Sequence, residues 1–269
     1  MYQTEAYLLN LSHSQNAEKI LLVTGGASGI GASLSRRAAD QGYHVVINFR
    51  SRQQEAEILA QEIRTSGRKA TAMGADVSNA EAVSAMFRTI DKELGCIWGL
   101  VNCAGVSAAS QPIAELENET LEKLLHNNIM GTMFPAQEAV SRMSTVSGGT
   151  GGVIVNVSSM AATIGGRKGS VAYAATKGVI DVFTKGLARE VADQNIRVNA
   201  VRPGMTFSEM TKDLNNPAHH AAIAATIPLG RIAEADEVVT PILWLLSDEA
   251  SFITGSILDV SGGGFTFAS

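Results

Sequence analysis

Short runs of branched apolar residues alternate along the chain with longer stretches whose apolar positions recur every three or four residues. The runs predict seven strands, at Ile20–Thr24, His44–Asn48, Lys69–Gly74, Gly99–Asn102, Gly152–Ser158, Ile196–Val201 and Ser256–Asp259. The spacing between them predicts helices near 29–41, 52–65, 79–94, 118–146, 171–193 and 235–247. Several runs are apolar without interruption, as strands buried on both faces must be, so strand–helix repetition calls for an α/β fold with a parallel sheet and helices on both faces. Pro135 falls inside the fourth helical stretch, where it should kink the helix or remove a hydrogen bond.

Two regions escape the alternation. Residues 1–18 are polar and without period, and are expected to be a flexible N-terminal extension ahead of one domain at 19–269. Residues 204–229 carry Pro217, Pro228 and the pair His219-His220. They are too long for an ordinary connection, which suggests a lid or binding segment.

The 269 residues, 45% hydrophobic and 17% charged, suffice for one sizeable core. A net charge of −5 without like-charge runs argues against a nucleic-acid partner or an anionic membrane surface. No apolar run reaches the length of a membrane-spanning helix, so the expectation is a cytoplasmic protein acting on a small molecule. Cys96 and Cys103 show no metal-ligand spacing, and reduced thiols fit that compartment.

The first candidate chemistry follows the first strand. Thr24-Gly25-Gly26-Ala27-Ser28-Gly29-Ile30-Gly31 opens a helix, with glycines for a tight turn, for close backbone approach to a pyrophosphate, and for helix packing. The N–H groups of the helix start complete a site for a dinucleotide phosphate.

From this TGxxxGIG loop to Gly262 the chain resembles the short-chain dehydrogenase/reductase family. Asp76-Val77, Asn102-Cys103-Ala104-Gly105, Asn128-Ile129-Met130-Gly131, Val153 to Ser159, Tyr173-Ala174-Ala175-Thr176-Lys177, and Arg197 to Gly204 carry the likeness, in order and at fitting spacings. It is similar in particular to sugar-dehydrogenase and 3-oxoacyl-reductase-like members. Two departures stand out: Cys103 replaces the second Asn of the usual NNAG turn, and the Ser-to-Tyr separation is one residue longer than usual. The resemblance implies a Rossmann-type, doubly wound, seven-stranded parallel sheet and an enzyme interconverting a carbonyl and an alcohol with a nicotinamide cofactor.

It also implies a catalytic set of Asn128, Ser159, Tyr173 and Lys177. Tyr173 and Lys177 stand four apart on a helix and so share a face. A nearby ammonium favours a phenolate, which suits Tyr173 to give and take a proton. Lys177 would also hold the nicotinamide ribose, Ser159 would hydrogen-bond the substrate oxygen, and Asn128 would hold a water linking Lys177 to solvent. Ser158 is the weaker candidate hydroxyl. Asp76 and Val77 would meet the adenine, Asn102, Ala104 and Gly105 would line the cofactor, and Pro203, Gly204, Thr206 and Ser208 would sit at its nicotinamide and pyrophosphate end. Candidates for the substrate side are Val106, Ser107, Met160, Lys168, Val171, Met205, Thr206 and Phe207.

At the end of the second strand an acid would bind a ribose 2′-hydroxyl and repel a 2′-phosphate. Phe49 occupies that place and Arg50 follows, with Asn48 and Ser51 as further donors, so NADP(H) is favoured over NAD(H). Relatives that only sense the cofactor usually lose the Tyr or the Lys, and this chain has both. The family's habit, with the apolar surfaces of the long helices, points to a homotetramer or homodimer.

Overall fold

A computed structural model of the chain describes residues 18–207 and 216–264. Seven strands, β1 (Ile20–Thr24), β2 (His44–Phe49), β3 (Ala70–Gly74), β4 (Ile97–Asn102), β5 (Gly152–Val157), β6 (Ile196–Pro203) and β7 (Ile257–Val260), form one sheet in the order β3-β2-β1-β4-β5-β6-β7. Every pairing is parallel. The order reverses between β1 and β4, and the crevice beyond the carboxyl ends of those two strands is where such sheets bind ligands.

Helices α1 (Gly29–Asp40), α2 (Gln53–Thr65) and α9 (Ala235–Leu246) cover one face. There Leu21, Val23, Val45, Ile47, Val101, Val155 and Val201 meet Leu34, Leu59, Val239, Ile242 and Leu246. Helices α3 (Ala80–Glu93), α5 (Gly131–Met143) and α7 (Val171–Glu190) cover the other, where Leu22, Val46, Leu100, Ile154 and Val198 meet Phe87, Ile90, Ala136, Ala139 and Ala188. Consecutive strand residues go to opposite faces, and each fully buried side chain of this size contributes about 1.5–3 kcal/mol.

On the α3/α5/α7 face the apolar rows give way to polar ones at the site end of the strands. Thr24, Asn102, Asn156 and Ala200 are register partners across β1, β4, β5 and β6. Asn102 donates to the Asn156 side chain at 3.0 Å and to the Thr132 carbonyl at 3.3 Å, and Asn156 donates to Thr184 at 2.9 Å. These bonds satisfy most of a buried polar row, and Asn102 Oδ1 is left without a protein partner.

Three features depart from the sequence reading. The helical stretch expected at 118–146 divides into α4 (Asn118–Leu125), a π turn at His126–Met130, and α5. Pro135 lies in α5, five residues beyond that wide turn, and an irregularity of this kind accommodates a missing N–H donor. Two short helices were not expected: α6 (Ala161–Ile164), and α8 (Pro217–Ala224), whose first turn has proline and an Asn216 side-chain cap. Glu18, read as the last residue of the extension, already belongs to the fold through Lys69 at 2.8 Å and His44 at 3.5 Å. Among the described residues no helix is long and apolar enough to cross a membrane.

Candidate active site

The glycine loop sits at the sheet's reversal point. The Thr24 hydroxyl accepts from the backbone N–H of Cys103 at 3.0 Å and of Ala104 at 3.1 Å, which ties the end of β1 to the turn after β4. Gly25 is in the left-handed region, at φ 62°, and a Cβ there would come 2.9 Å from Ala104 Cα. A Cβ on Gly31 would collide with the Gly25 carbonyl oxygen. Ser28, the residue before α1, makes no side-chain cap, so the first N–H groups of the helix, around Gly29, Ile30 and Gly31, have no side-chain acceptor. A loop with no room for a Cβ at Gly25, Gly26 or Gly31, feeding an uncapped helix start beside Ala27, fits a pyrophosphate.

At the end of β2 the structure divides the expected donors. Asn48 is only 2% exposed. Its amide donates to the carbonyls of Ala75 at 3.1 Å and Met73 at 3.3 Å, and its oxygen accepts from Gly25 N–H at 3.5 Å. It therefore braces β2, β3 and the glycine loop from within, and its amide is spent on those carbonyls. The Phe49 ring lies over Gly74. Arg50 is 47% exposed, donates to the Asn127 side chain at 2.5 Å, and lies 3.9 Å from Asp76. Ser51 is exposed next to it.

Asp76 accepts from the Ser78 hydroxyl at 2.6 Å and the Ser78 N–H at 2.9 Å. Burial works to raise its carboxyl, but the Ser78 hydrogen bonds and the charges of Arg50 and His126 outweigh burial and hold it below the usual range. Val77 is buried against Gly131.

The catalytic candidates come from β5, the π turn and α7. Lys177 is only 6% exposed, and its Nζ donates to the Val157 carbonyl at 2.8 Å and lies 5.9 Å from the Tyr173 ring centroid. The Ser158 hydroxyl donates to the Lys177 carbonyl at 3.1 Å, so Ser158 is spent fastening β5 to α7. Ser159 Oγ accepts from Ala161 N–H at 3.1 Å, which leaves its own proton to donate. The two adjacent hydroxyls therefore differ in their bonding.

Asn128 is buried, and its whole side chain is engaged. It accepts from Val106 N–H at 2.8 Å and donates to the Val106 carbonyl and to Thr176 Oγ1, each at 3.0 Å. It pins the Val106 turn against α7, and its amide is committed there. Gly105 lies between Asn128 and Lys177, where an added Cβ would be 3.4 Å from Asn128 Oδ1 and 3.5 Å from Lys177 Nζ. Burial pushes the thiol of the neighbouring Cys103 up to about 11, against the pull of the Lys177 charge.

Of the remaining candidates, Gly204 packs so closely on Ser261 that a Cβ would be 2.9 Å from Ser261 Cα. Pro203, Met160 and Thr206 are buried. Met205 and Phe207 pack on a small cluster of Ile223, Ile227 and Ile232, and the Phe207 ring stacks on His220 at 5.4 Å. Lys168 and Val171 are exposed, in the segment whose Gly169 carbonyl accepts from Gln111 N–H at 3.0 Å. Ser208 lies outside the described residues. Asn127, the neighbour of Asn128 in the π turn, meets Arg50 across 77 residues of chain.

A doubly wound parallel sheet with a glycine loop at its reversal point and a Ser, Tyr and Lys beyond the next strand defines a nucleotide-dependent oxidoreductase scaffold. The chain belongs to the short-chain dehydrogenase/reductase family and is an enzyme of that family. The family model described as enoyl-(acyl carrier protein) reductase matches residues 25–265. The uncharacterized oxidoreductase YgfF of Escherichia coli (strain K12) is 41% identical over 91% of this chain and 99% of its own length. The 3-oxoacyl-[acyl-carrier-protein] reductase FabG of Staphylococcus aureus (strain Mu50 / ATCC 700699) is 32% identical over 91% and 97%. The crystal structure of a gluconate 5-dehydrogenase from Burkholderia cenocepacia J2315, in complex with NADP and tartrate, superimposes with a TM-score of 0.87 at 29% identity, covering 93% of this chain and 96% of that one.

Proposed function

We propose that this enzyme interconverts a carbonyl and an alcohol on a small molecule, using NADP(H) in preference to NAD(H). The observation that carries the reading is the buried Lys177 ammonium one helical turn from Tyr173, bonded to the strand that runs into Ser159.

The cofactor's pyrophosphate would rest on the Ser28–Gly31 helix start, its adenine against Asp76 and Val77, and its nicotinamide end toward Gly105, Pro203, Gly204 and Thr206. When bound, the nicotinamide supplies or accepts the hydride at the substrate carbon. In reduction, Tyr173 donates the phenol proton to the substrate oxygen, with Lys177 one helical turn away. Ser159 uses its free hydroxyl proton to hold the same oxygen as charge gathers on it. Asn128 contributes by fastening the Val106 backbone to Thr176, which fixes the Gly105 turn beside Lys177. The NADP(H) preference is supported by Phe49 in the acid's place, by the exposed Arg50 guanidinium, and by the NADP in the related gluconate 5-dehydrogenase structure.

The test is NADPH and, separately, NADH oxidation over a 3-oxoacyl thioester, a keto-acid, a diketone and a steroid ketone, with the reverse reaction on gluconate. The expected result is turnover of at least one compound, faster with the phosphorylated cofactor. Tight cofactor binding with no turnover of any compound would count against the reading.

A further inference from the structure

We propose that Asn127 is the positioning residue through which this enzyme selects a 2′-phosphorylated cofactor. The inference rests on the reading of Arg50 as the phosphate-binding residue and adds what holds that arginine. Asn127 belongs to the same π turn as Asn128, and the two neighbours do opposite work: Asn128 holds the Val106 turn and α7, while Asn127 reaches Arg50, just past the end of β2. The direction of the Asn127 amide is determined, because its nitrogen donates to the Lys123 carbonyl at 2.8 Å and its oxygen accepts from Arg50 Nη1 at 2.5 Å.

The arrangement leaves the arginine useful. Nη1 is the nitrogen that meets both Asn127 and Asp76, so the Nη2–Nε edge of the guanidinium has no partner among the described residues. That edge presents two parallel donors, suited to a phosphate. The Asn127 anchor is also neutral. Asp76, the one acid that pairs with Arg50 among the described residues, is 3.9 Å away and spends its other oxygen on Ser78, so the guanidinium is held without being closely paired to a carboxylate. A carboxylate at position 127 would hold the arginine equally well and compete with the phosphate for its charge.

The test is calorimetric and needs no turnover: the Kd of adenosine 2′,5′-bisphosphate against adenosine 5′-monophosphate for the wild type, Arg50→Ala, Asn127→Ala, Asn127→Asp and the double alanine variant. Removal of one charge-assisted contact corresponds to about a 10- to 100-fold loss, so Arg50→Ala should cut the bisphosphate preference by that order. Asn127→Ala should cut it about 3- to 10-fold. Asn127→Asp should also lower it although it is isosteric, and Asn127→Ala should change nothing further once Arg50 is absent. A full bisphosphate preference in both Asn127 variants, with the preference lost in Arg50→Ala, would overturn the role of Asn127 while leaving Arg50 as the phosphate site. An unchanged preference in Arg50→Ala would overturn both.

Discussion

Lys177 donates from Nζ to the Val157 carbonyl at 2.8 Å, and this bond joins the helix carrying Tyr173 to the strand that leads into Ser159. The carbonyl fixes the ammonium at the base of the site, below Gly105. Replacement by Met keeps the length and removes the charge. Lys177→Met is expected to lower kcat by about 10²–10⁴-fold, the range of a lost acid–base contribution, with the circular dichroism spectrum unchanged. A kcat within threefold of wild type would remove Lys177 from the mechanism.

The two adjacent serines should separate cleanly. Ser158→Ala removes a buried hydroxyl that bonds the Lys177 carbonyl, and should cost about 1 kcal/mol of stability with turnover largely kept. Ser159→Ala should leave the melting temperature nearly unchanged and lower kcat by about 10²–10³-fold. Thermal melts and steady-state rates on both variants check the pair, and the reverse pattern would exchange their roles.

Gly31→Ala places a Cβ against the Gly25 carbonyl oxygen, which cannot move without opening the loop. The expected result is a loss of about 1–3 kcal/mol in stability and weaker NADPH binding by fluorescence titration. Gly178→Ala on α7, where an added Cβ meets nothing within 4 Å, is the control and should be neutral or slightly stabilising.

Thiol chemistry reports on the burial of the turn after β4. Burial pushes Cys103 up to about 11, so little of it is thiolate at pH 7. Cys96 is exposed, and its thiol is raised less, by partial burial and Asp91 against the pull of Arg142. At pH 8 a disulfide reagent should titrate one thiol of the native protein and two after denaturation. Rapid modification of both thiols in the native protein would contradict this account of the turn.

The sheet was legible because most strands are short runs rich in Val, Ile and Leu, and β6 runs on to Pro203 only because Arg202 and Pro203 continue the pairing with β7. The placement of Tyr173 and Lys177 one turn apart on α7 was equally readable, since it depends on local spacing alone. What escaped depends on contacts across the fold. The periodicity of 118–146 runs through the π turn without a break, and α8 is alanine-rich without an apolar stripe. The inward course of Asn48 follows from the β2 register, which brings Met73 and Ala75 to its amide. The engagement of Asn128 with Val106 and Thr176 likewise depends on α7 packing beside the turn after β4.

The most direct test of the central claim is turnover by Tyr173→Phe, measured as NADPH oxidation with the best substrate of the panel alongside NADPH binding. Removal of one oxygen atom should lower kcat by at least about 10²-fold while NADPH affinity stays within about threefold of wild type. Near-normal turnover in that variant would contradict the assignment of Tyr173 as the proton donor.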